Sequence, residues 1–286
     1  MTAFADNDGE AAIALQRALK RGELALHYQP KLDLATGRVT GVEALSRWHD
    51  ARLGEVGPSA FIPLAERSGI IDGLTEWVCR TALAQWVGWR DQGVSLSIAV
   101  NISALTLRDV DFPDFLQRLC QLDGVPCEQV TVELTESATQ HVVQLLDTLT
   151  RFRIKGMGVA LDDFGTGYSS LLQLRQLPFT ELKIDQSFVR DAATAEDSRL
   201  IIKSVIDLAH ALGLTAVAEG VEDEATLKVL AALGCDHVQG FLIAAPMAGS
   251  ELVPWLLEAG AGWQDFCAGL QGAAAAPPGL FKPRRA

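Results

Sequence analysis

Short apolar runs alternate along most of this chain with longer stretches in which apolar positions recur every three or four residues. The first pattern has the two-residue period of a strand and the second the 3.6-residue period of a helix. A helix-patterned segment from about Glu10 to Lys20 precedes two apolar runs, Leu24 to Gln29 and Val39 to Leu45. Blocks then alternate: helix from Thr75 to Arg90, strand from Leu96 to Asn101, helix from Pro113 to Leu122, strand from Val130 to Leu134. Further along come helix His141 to Lys155, strand Val159 to Asp162, short helix Ser169 to Leu177 and strand Glu181 to Ile184. Helix Ser198 to Leu212, strand Thr215 to Glu219, helix Ala225 to Leu233 and strand His237 to Gly240 complete the series. Repeated strand and helix blocks predict a parallel sheet, and about eight strands favour its closure into an α/β, (β/α)8 TIM-like barrel. No G-x-G-x-x-G opens a helix after the first strand, so a dinucleotide fold has little support.

At 286 residues the chain suits one such barrel, which takes roughly 250 residues. The expected organisation is an N-terminal helical segment over 1–23, a barrel over 24–262 and a partly disordered tail over 263–286, whose end from Gly272 is rich in Ala and Pro and closes on basic residues. The acidic start, Met1 to Glu10, has no apolar core, so no signal peptide is expected. No stretch reaches the roughly 18 apolar residues of a membrane span, since even Leu200 to Ala218 is broken by Lys203, Asp207 and His210. Five cysteines without a C-x-x-C pair argue against both a disulfide framework and a structural zinc site, and fit a cytoplasmic protein. A net charge of -12 weighs against a general nucleic-acid surface, so any phosphate on a substrate must be met locally.

Parity within the strands locates candidate chemistry. Leu96, Ile98 and Val100 share one face, while Ser97, Ala99 and Asn101 share the other. Val130, Val132 and Leu134 oppose Thr131 and Glu133, and Val159 and Leu161 oppose Ala160 and Asp162. Each run therefore ends in a polar residue on the face with smaller neighbours, as expected where the apolar face meets outer helices and the last inward residue emerges at the barrel mouth. The same parity groups Glu43 with Leu45 and Arg47, and Lys183 with Asp185, while Glu219 and Gln239 end two more strands. One rim thus gathers Glu43, Asn101, Glu133, Asp162, Lys183, Glu219 and Gln239. Carboxylates and an amide without His or Cys form a hard oxygen site, suited to Mg²⁺ or Mn²⁺. Adjacent Asp162 and Asp163 can serve two ions, with Gly165-Thr166-Gly167 turning one carboxylate toward the site, and two ions about 3.5 to 4 Å apart suit an in-line phosphoryl displacement.

The sequence also contains Glu43-Ala44-Leu45 with Arg47, Val100-Asn101-Ile102-Ser103, Glu133-Leu134-Thr135-Glu136 and the run Asp162-Asp163-Phe164-Gly165-Thr166-Gly167-Tyr168-Ser169-Ser170. Leu182-Lys183-Ile184-Asp185, Ala218-Glu219-Gly220-Val221-Glu222 and Gln239-Gly240 add to these. Together they resemble the EAL-domain cyclic di-GMP phosphodiesterases from about Leu24 to Pro246. The resemblance implies a TIM-like barrel with one antiparallel strand and hydrolysis of cyclic di-GMP to linear pGpG in bacterial signalling. Glu43, Asn101, Glu133 and Asp162 are then ligands of a first cation, Asp163 of a second, with Asp162 bridging and Glu219 assisting. Lys183 is the residue that helps activate the attacking water, with a pKa lowered by the neighbouring cations. Gln29, Leu45, Arg47, Asp185, Glu222 and Gln239 contact substrate or support the site, and Glu136 steadies the loop after Asp163. That loop lies near a dimer interface in similar proteins, so a homodimer is implied. His49-Asp50-Ala51 and Gln186 depart from the usual pattern without touching the expected ligands. Two rival functions remain open: a catalytically silent cyclic di-GMP receptor, and a barrel hydrolase acting on another small phosphodiester.

Overall fold

In the computed structural model, residues 8–52, 54–166 and 171–273 are described. Gly167, Tyr168, Ser169 and Ser170 of the glycine-containing loop, and the tail from residue 274 onward, lie outside the described residues.

Helix α1 (Asp8–Arg21) leads into a hairpin of strands β1 (Leu24–Asp33) and β2 (Arg38–Asp50). Its turn is set locally. The Asp33 carboxylate accepts the Thr36 amide at 2.7 Å, and Gly37 takes a φ of +65° that L side chains rarely adopt. Gly37 is also required by space, because a Cβ there would stand 2.6 Å from the backbone of Trp263 and Gln264. Strand β3 (Gly54–Val56) adds to the far end of β2, and helices α2 (Pro58–Arg67) and α3 (Ile71–Arg90) follow.

From there the chain alternates: β4 (Ser97–Asn101), α4 (Phe112–Asp123), β5 (Val130–Thr135), α5 (Val142–Ile154), β6 (Gly158–Phe164), α6 (Leu171–Gln176) and β7 (Glu181–Ile184). It continues through α7 (Gln186–Val189), α8 (Glu196–Ala211), β8 (Thr215–Ala218), α9 (Glu224–Leu233), β9 (His237–Val238), β10 (Met247–Ala248) and α10 (Gly249–Ala273). Local chemistry marks both ends of α9. In α9 the Asp223 side chain accepts the Thr226 amide at 2.8 Å, and Gly234 closes the helix in the left-handed conformation.

The strands close in the order β1-β2-β4-β5-β6-β7-β8-β9, with β9 returning to β1. β1 runs antiparallel to both neighbours, and the remaining neighbours in the ring pair in parallel. This is the TIM-like barrel with one antiparallel strand. The reversed strand follows from opening with a hairpin, since a short turn can join only antiparallel strands. β3 and β10 are additions outside the ring.

The outward strand faces build the core against the helices. Ile98, Val130, Val132, Val159, Leu161, Leu182, Ile184, Ala216 and Val238 are all buried there. α1 joins the same core through Leu15 and Ala18. α10 runs on without a break past residue 262, the expected start of the tail, because Trp263, Phe266 and Cys267 continue its apolar face. β3, α2 and β10 had no counterpart among the elements expected from sequence. Among the described residues, no helix is long and apolar enough to cross a membrane.

Candidate active site at the strand ends

Inward-facing residues on or just after the parallel strands converge at one end of the barrel. Glu43 on β2, Asn101 on β4, Glu133 on β5, Asp162 on β6 and Lys183 on β7 meet there, joined by Glu219 just after β8 and Gln239 just after β9. Lys183 stands at the centre and is 2% exposed. Its Nζ lies 2.7 Å from Glu219, 2.8 Å from Glu133, 3.1 Å from Asp162 and 3.3 Å from Glu43. Glu43 also accepts Nδ2 of Asn101 and Nε2 of Gln239, each at 2.7 Å. Gln239 donates further to Gln29 at 3.1 Å, and Gln29 donates to the Ala244 carbonyl. A chain of amides on β1 and after β9 therefore fixes the orientation of the Glu43 carboxylate.

Consecutive strand residues ordinarily face opposite sides of a sheet. Asp162 and Asp163 do not, because the β6–β7 register breaks between Leu161 and Phe164 and Asp163 takes a φ of 56°. A left-handed non-glycine residue costs of order 1–3 kcal/mol and persists where its surroundings hold it. Here the Asp163 amide donates to the Asp162 carboxylate at 3.0 Å, and two residues later the Gly165 amide donates to Glu136 at 2.9 Å. The result is two adjacent carboxylates opening into the same space.

Carboxylate oxygens of Glu43, Glu133 and Asp162 lie within 4.8 Å of one another, as do those of Asp162, Asp163 and Glu219. Asp162 belongs to both groups. The site is an acidic cluster able to hold metal, and its all-oxygen donors fit a hard divalent cation.

The electrostatics reflect crowding of like charge. Burial pushes Glu219 up to about 8, with Asp162 and Glu43 adding to the rise and Lys183 opposing it. Burial, with Asp162 and Asp185, raises Asp163 to about 6. Burial also lifts Glu133 well above the carboxylate range. At Glu43 burial acts upward too, but Lys183 and the two amide donors outweigh it and hold the group low. Burial alone would lower Lys183; the surrounding Glu133, Glu219, Glu43 and Asp162 raise it well above its ordinary value. The lowered Lys183 expected from sequence required cation charge, and the protein's own charges act the other way.

Residues 12–246 match the EAL domain family. The chain belongs to that family. This EAL domain is 44% identical over 232 residues to the cyclic di-GMP phosphodiesterase PA2567 of Pseudomonas aeruginosa, covering 81% of the chain and 40% of that protein. It is 40% identical over 242 residues to the cyclic di-GMP phosphodiesterase PdeR of Escherichia coli K12, covering 84% of the chain and 36% of that protein. The chain thus spans roughly two fifths or less of these relatives' length. Among solved structures, a PaMucR phosphodiesterase in complex with c-di-GMP superposes with a TM-score of 0.81 at 40% identity, covering 85% of the chain and 99% of that structure.

Two cavities open onto the EAL-domain site, of about 720 and 330 Å³, and Glu43, Leu45, Asp162 and Asp163 line both. The smaller also takes in Gln29, Asp185, Glu219, Glu222 and Gln239. Asp185 has a second task, since it caps α7 by accepting the Ser187 amide at 2.9 Å. Arg47 lines neither cavity; its guanidinium donates to the Ser46 carbonyl. The larger cavity extends between α2, α3 and the segment after β4, with Glu66 and Ser103 among its polar groups. Sequence reading missed that lobe. Ser103 stands in a recognised motif, whereas Glu66, on a helix, carries no strand-end signal.

Proposed function

We propose that this EAL domain hydrolyses one phosphodiester of cyclic di-GMP to give linear pGpG, using two Mg²⁺ or Mn²⁺ ions. The observation that carries this reading is that two acidic groups share Asp162 where two cavities meet. A cyclic dinucleotide has two nucleotide halves and needs two lobes, with its scissile phosphate at their junction. Glu43, Asn101, Glu133 and Asp162 would hold one ion, and Asp162, Asp163 and Glu219 the other. Bound there, the cations would supply charge to activate water and to stabilise the leaving oxygen. Lys183 would hold the attacking water by hydrogen bond, while Gln29, Leu45, Arg47, Asp185, Glu222 and Gln239 would contact substrate or support the site. We place the catalytic unit in residues 24–262, after the helical segment 1–23 and before residues 263–286, of which 263–273 complete α10, working as a homodimer in the cytoplasm; the free thiols of Cys79, Cys120, Cys127, Cys235 and Cys267 are consistent with a reducing compartment.

The test is incubation with cyclic di-GMP and Mg²⁺ or Mn²⁺, against an EDTA control, with products followed by chromatography and mass. Metal-dependent pGpG supports the enzyme. Tight binding without product supports the receptor, which the complete ligand set disfavours, and neither binding nor turnover overturns the substrate.

Cation affinity should rise with pH. Glu219 near 8 and Asp163 near 6 hold protons that an incoming cation must displace, so affinity climbs between pH 6 and pH 8. Calorimetric titration at pH 6 and 8, in buffers of different ionisation enthalpy, should show proton release; equal affinity with none would refute it. For the metal-free fold the sign reverses. Both groups sit above their ordinary values of 4.5 and 3.8, so their contribution to stability is full below about pH 4 and is lost as pH rises through 6 and 8.

Glu136→Ala should lower turnover about ten-fold by a less direct route. It leaves the Gly165 amide without this acceptor, at a cost of about 1–3 kcal/mol, and loosens the turn that aims Asp163. The cation concentration needed for half-maximal rate should rise with it, and unchanged values of both would remove the role.

A further inference from the structure

The larger cavity is walled by apolar side chains, among them Ile62, Leu74, Val78 and Ile102. Into this slot projects an acidic residue that the catalytic scheme does not use. Glu66, in the last turn of α2, accepts the Ser103 hydroxyl on Oε1 at 2.7 Å. Ser103 lies two residues beyond Asn101, so the Glu66 anchor and one of the proposed cation ligands sit on the same short segment at the end of β4. Ser103 also accepts the Leu105 amide at 3.2 Å, which fixes the hydroxyl that orients the carboxylate. Among the described residues Oε2 of Glu66 has no hydrogen-bond partner, and Oε1 keeps lone-pair capacity beyond Ser103.

We infer that Glu66 is a base-reading residue that selects guanine over adenine in the larger lobe. The inference rests on the cyclic dinucleotide reading above and names the determinant of its base preference. Guanine offers two adjacent donors on one edge, N1–H and the exocyclic N2 amine. A carboxylate is acceptor-only and meets both. Adenine offers the N1 lone pair at the corresponding place, which the carboxylate repels. The apolar walls suit the faces of a flat base, and Glu66 lines the same cavity as Glu43, Asn101, Asp162 and Asp163, so a base in this lobe and a phosphodiester at the acidic cluster share one continuous space. A purely structural Glu66–Ser103 contact, tying α2 to the segment after β4, would require no acceptor facing the cavity.

The test compares cyclic di-GMP with the inosine dinucleotide, which lacks the N2 amine, and with the adenine dinucleotide. The unsubstituted protein should favour guanine over inosine by about ten- to a hundred-fold in kcat/KM, the range of one well-made paired contact to a base edge. Glu66→Gln should bring that ratio close to one and raise the relative rate on the adenine dinucleotide. Hydrolysis of bis(p-nitrophenyl) phosphate, which has no base, should be unchanged, a readout that separates base reading from a general loss of fold. Ser103→Ala should reduce the ratio partway. A guanine-to-inosine ratio of one in the unsubstituted protein overturns the inference even where Glu66→Gln fails to fold, and so does an unchanged ratio in a folded Glu66→Gln variant. Absence of both turnover and binding with cyclic di-GMP removes the underlying function and this inference with it.

Discussion

Asp162→Ala should abolish hydrolysis of cyclic di-GMP, a loss of at least about a thousand-fold, while the fold survives. Asp162 is the carboxylate common to both acidic groups, so its removal disturbs both cation positions at once. The fold should persist because the apolar faces that pack on the helices are untouched: Leu161 and Leu182, paired across β6 and β7, remain buried outside the barrel. The variant also removes one negative charge from a crowded cluster, so the metal-free protein should melt no lower than the parent, and higher at pH 8 than at pH 5 relative to it. Glu43→Ala should lose activity similarly by emptying the first group alone. Turnover with and without added Mn²⁺, alongside thermal melts, decides the matter; full activity in either variant would sink the ligand assignment.

Lys183→Met should have the second largest effect, on both stability and rate. One ammonium touches four carboxylates, and breaking a buried ion pair from one side costs about 3–5 kcal/mol because the charges left behind are uncompensated. That cost falls where the carboxylates carry protons. Melting of the metal-free variant should therefore drop strongly at pH 8, less at pH 5, and recover in part with Mg²⁺ or Mn²⁺. Turnover should fall by about 10²- to 10⁴-fold, the range expected for losing a group that positions and polarises the reacting water. An unchanged melt at pH 8 together with an unchanged rate would contradict the central place given to this lysine.

Much of this arrangement was legible in local pattern. The alternation in Val130-Thr131-Val132-Glu133-Leu134 sorts core from mouth without any knowledge of neighbours, because a strand has period two and the barrel buries one face against helices. What was harder to read has identifiable causes. α2 has Pro63 in its interior, so it scans poorly as a helix and hides Glu66. β3 and β10 are three and two residues long, too short to show a period. α10 carries Pro254 and several glycines, which masks a helix that Leu252, Trp263 and Cys267 anchor by packing.

The sequence by itself determined the succession of strands and helices, the inward parity of Glu43, Asn101, Glu133, Asp162 and Lys183, and the oxygen-only chemistry of the rim, since each depends on residue type and spacing along a single element. Only the tertiary structure decided that Lys183 sits among four carboxylates and is pushed up, that Asp163 turns to the same side as Asp162, and that Glu66 reaches the larger lobe. Those outcomes depend on how the strands are staggered around the closed ring, on a register break between β6 and β7, and on a helix brought beside the segment after β4. Period and composition describe one element at a time, whereas the distance between charges on different elements exists only once the barrel has closed.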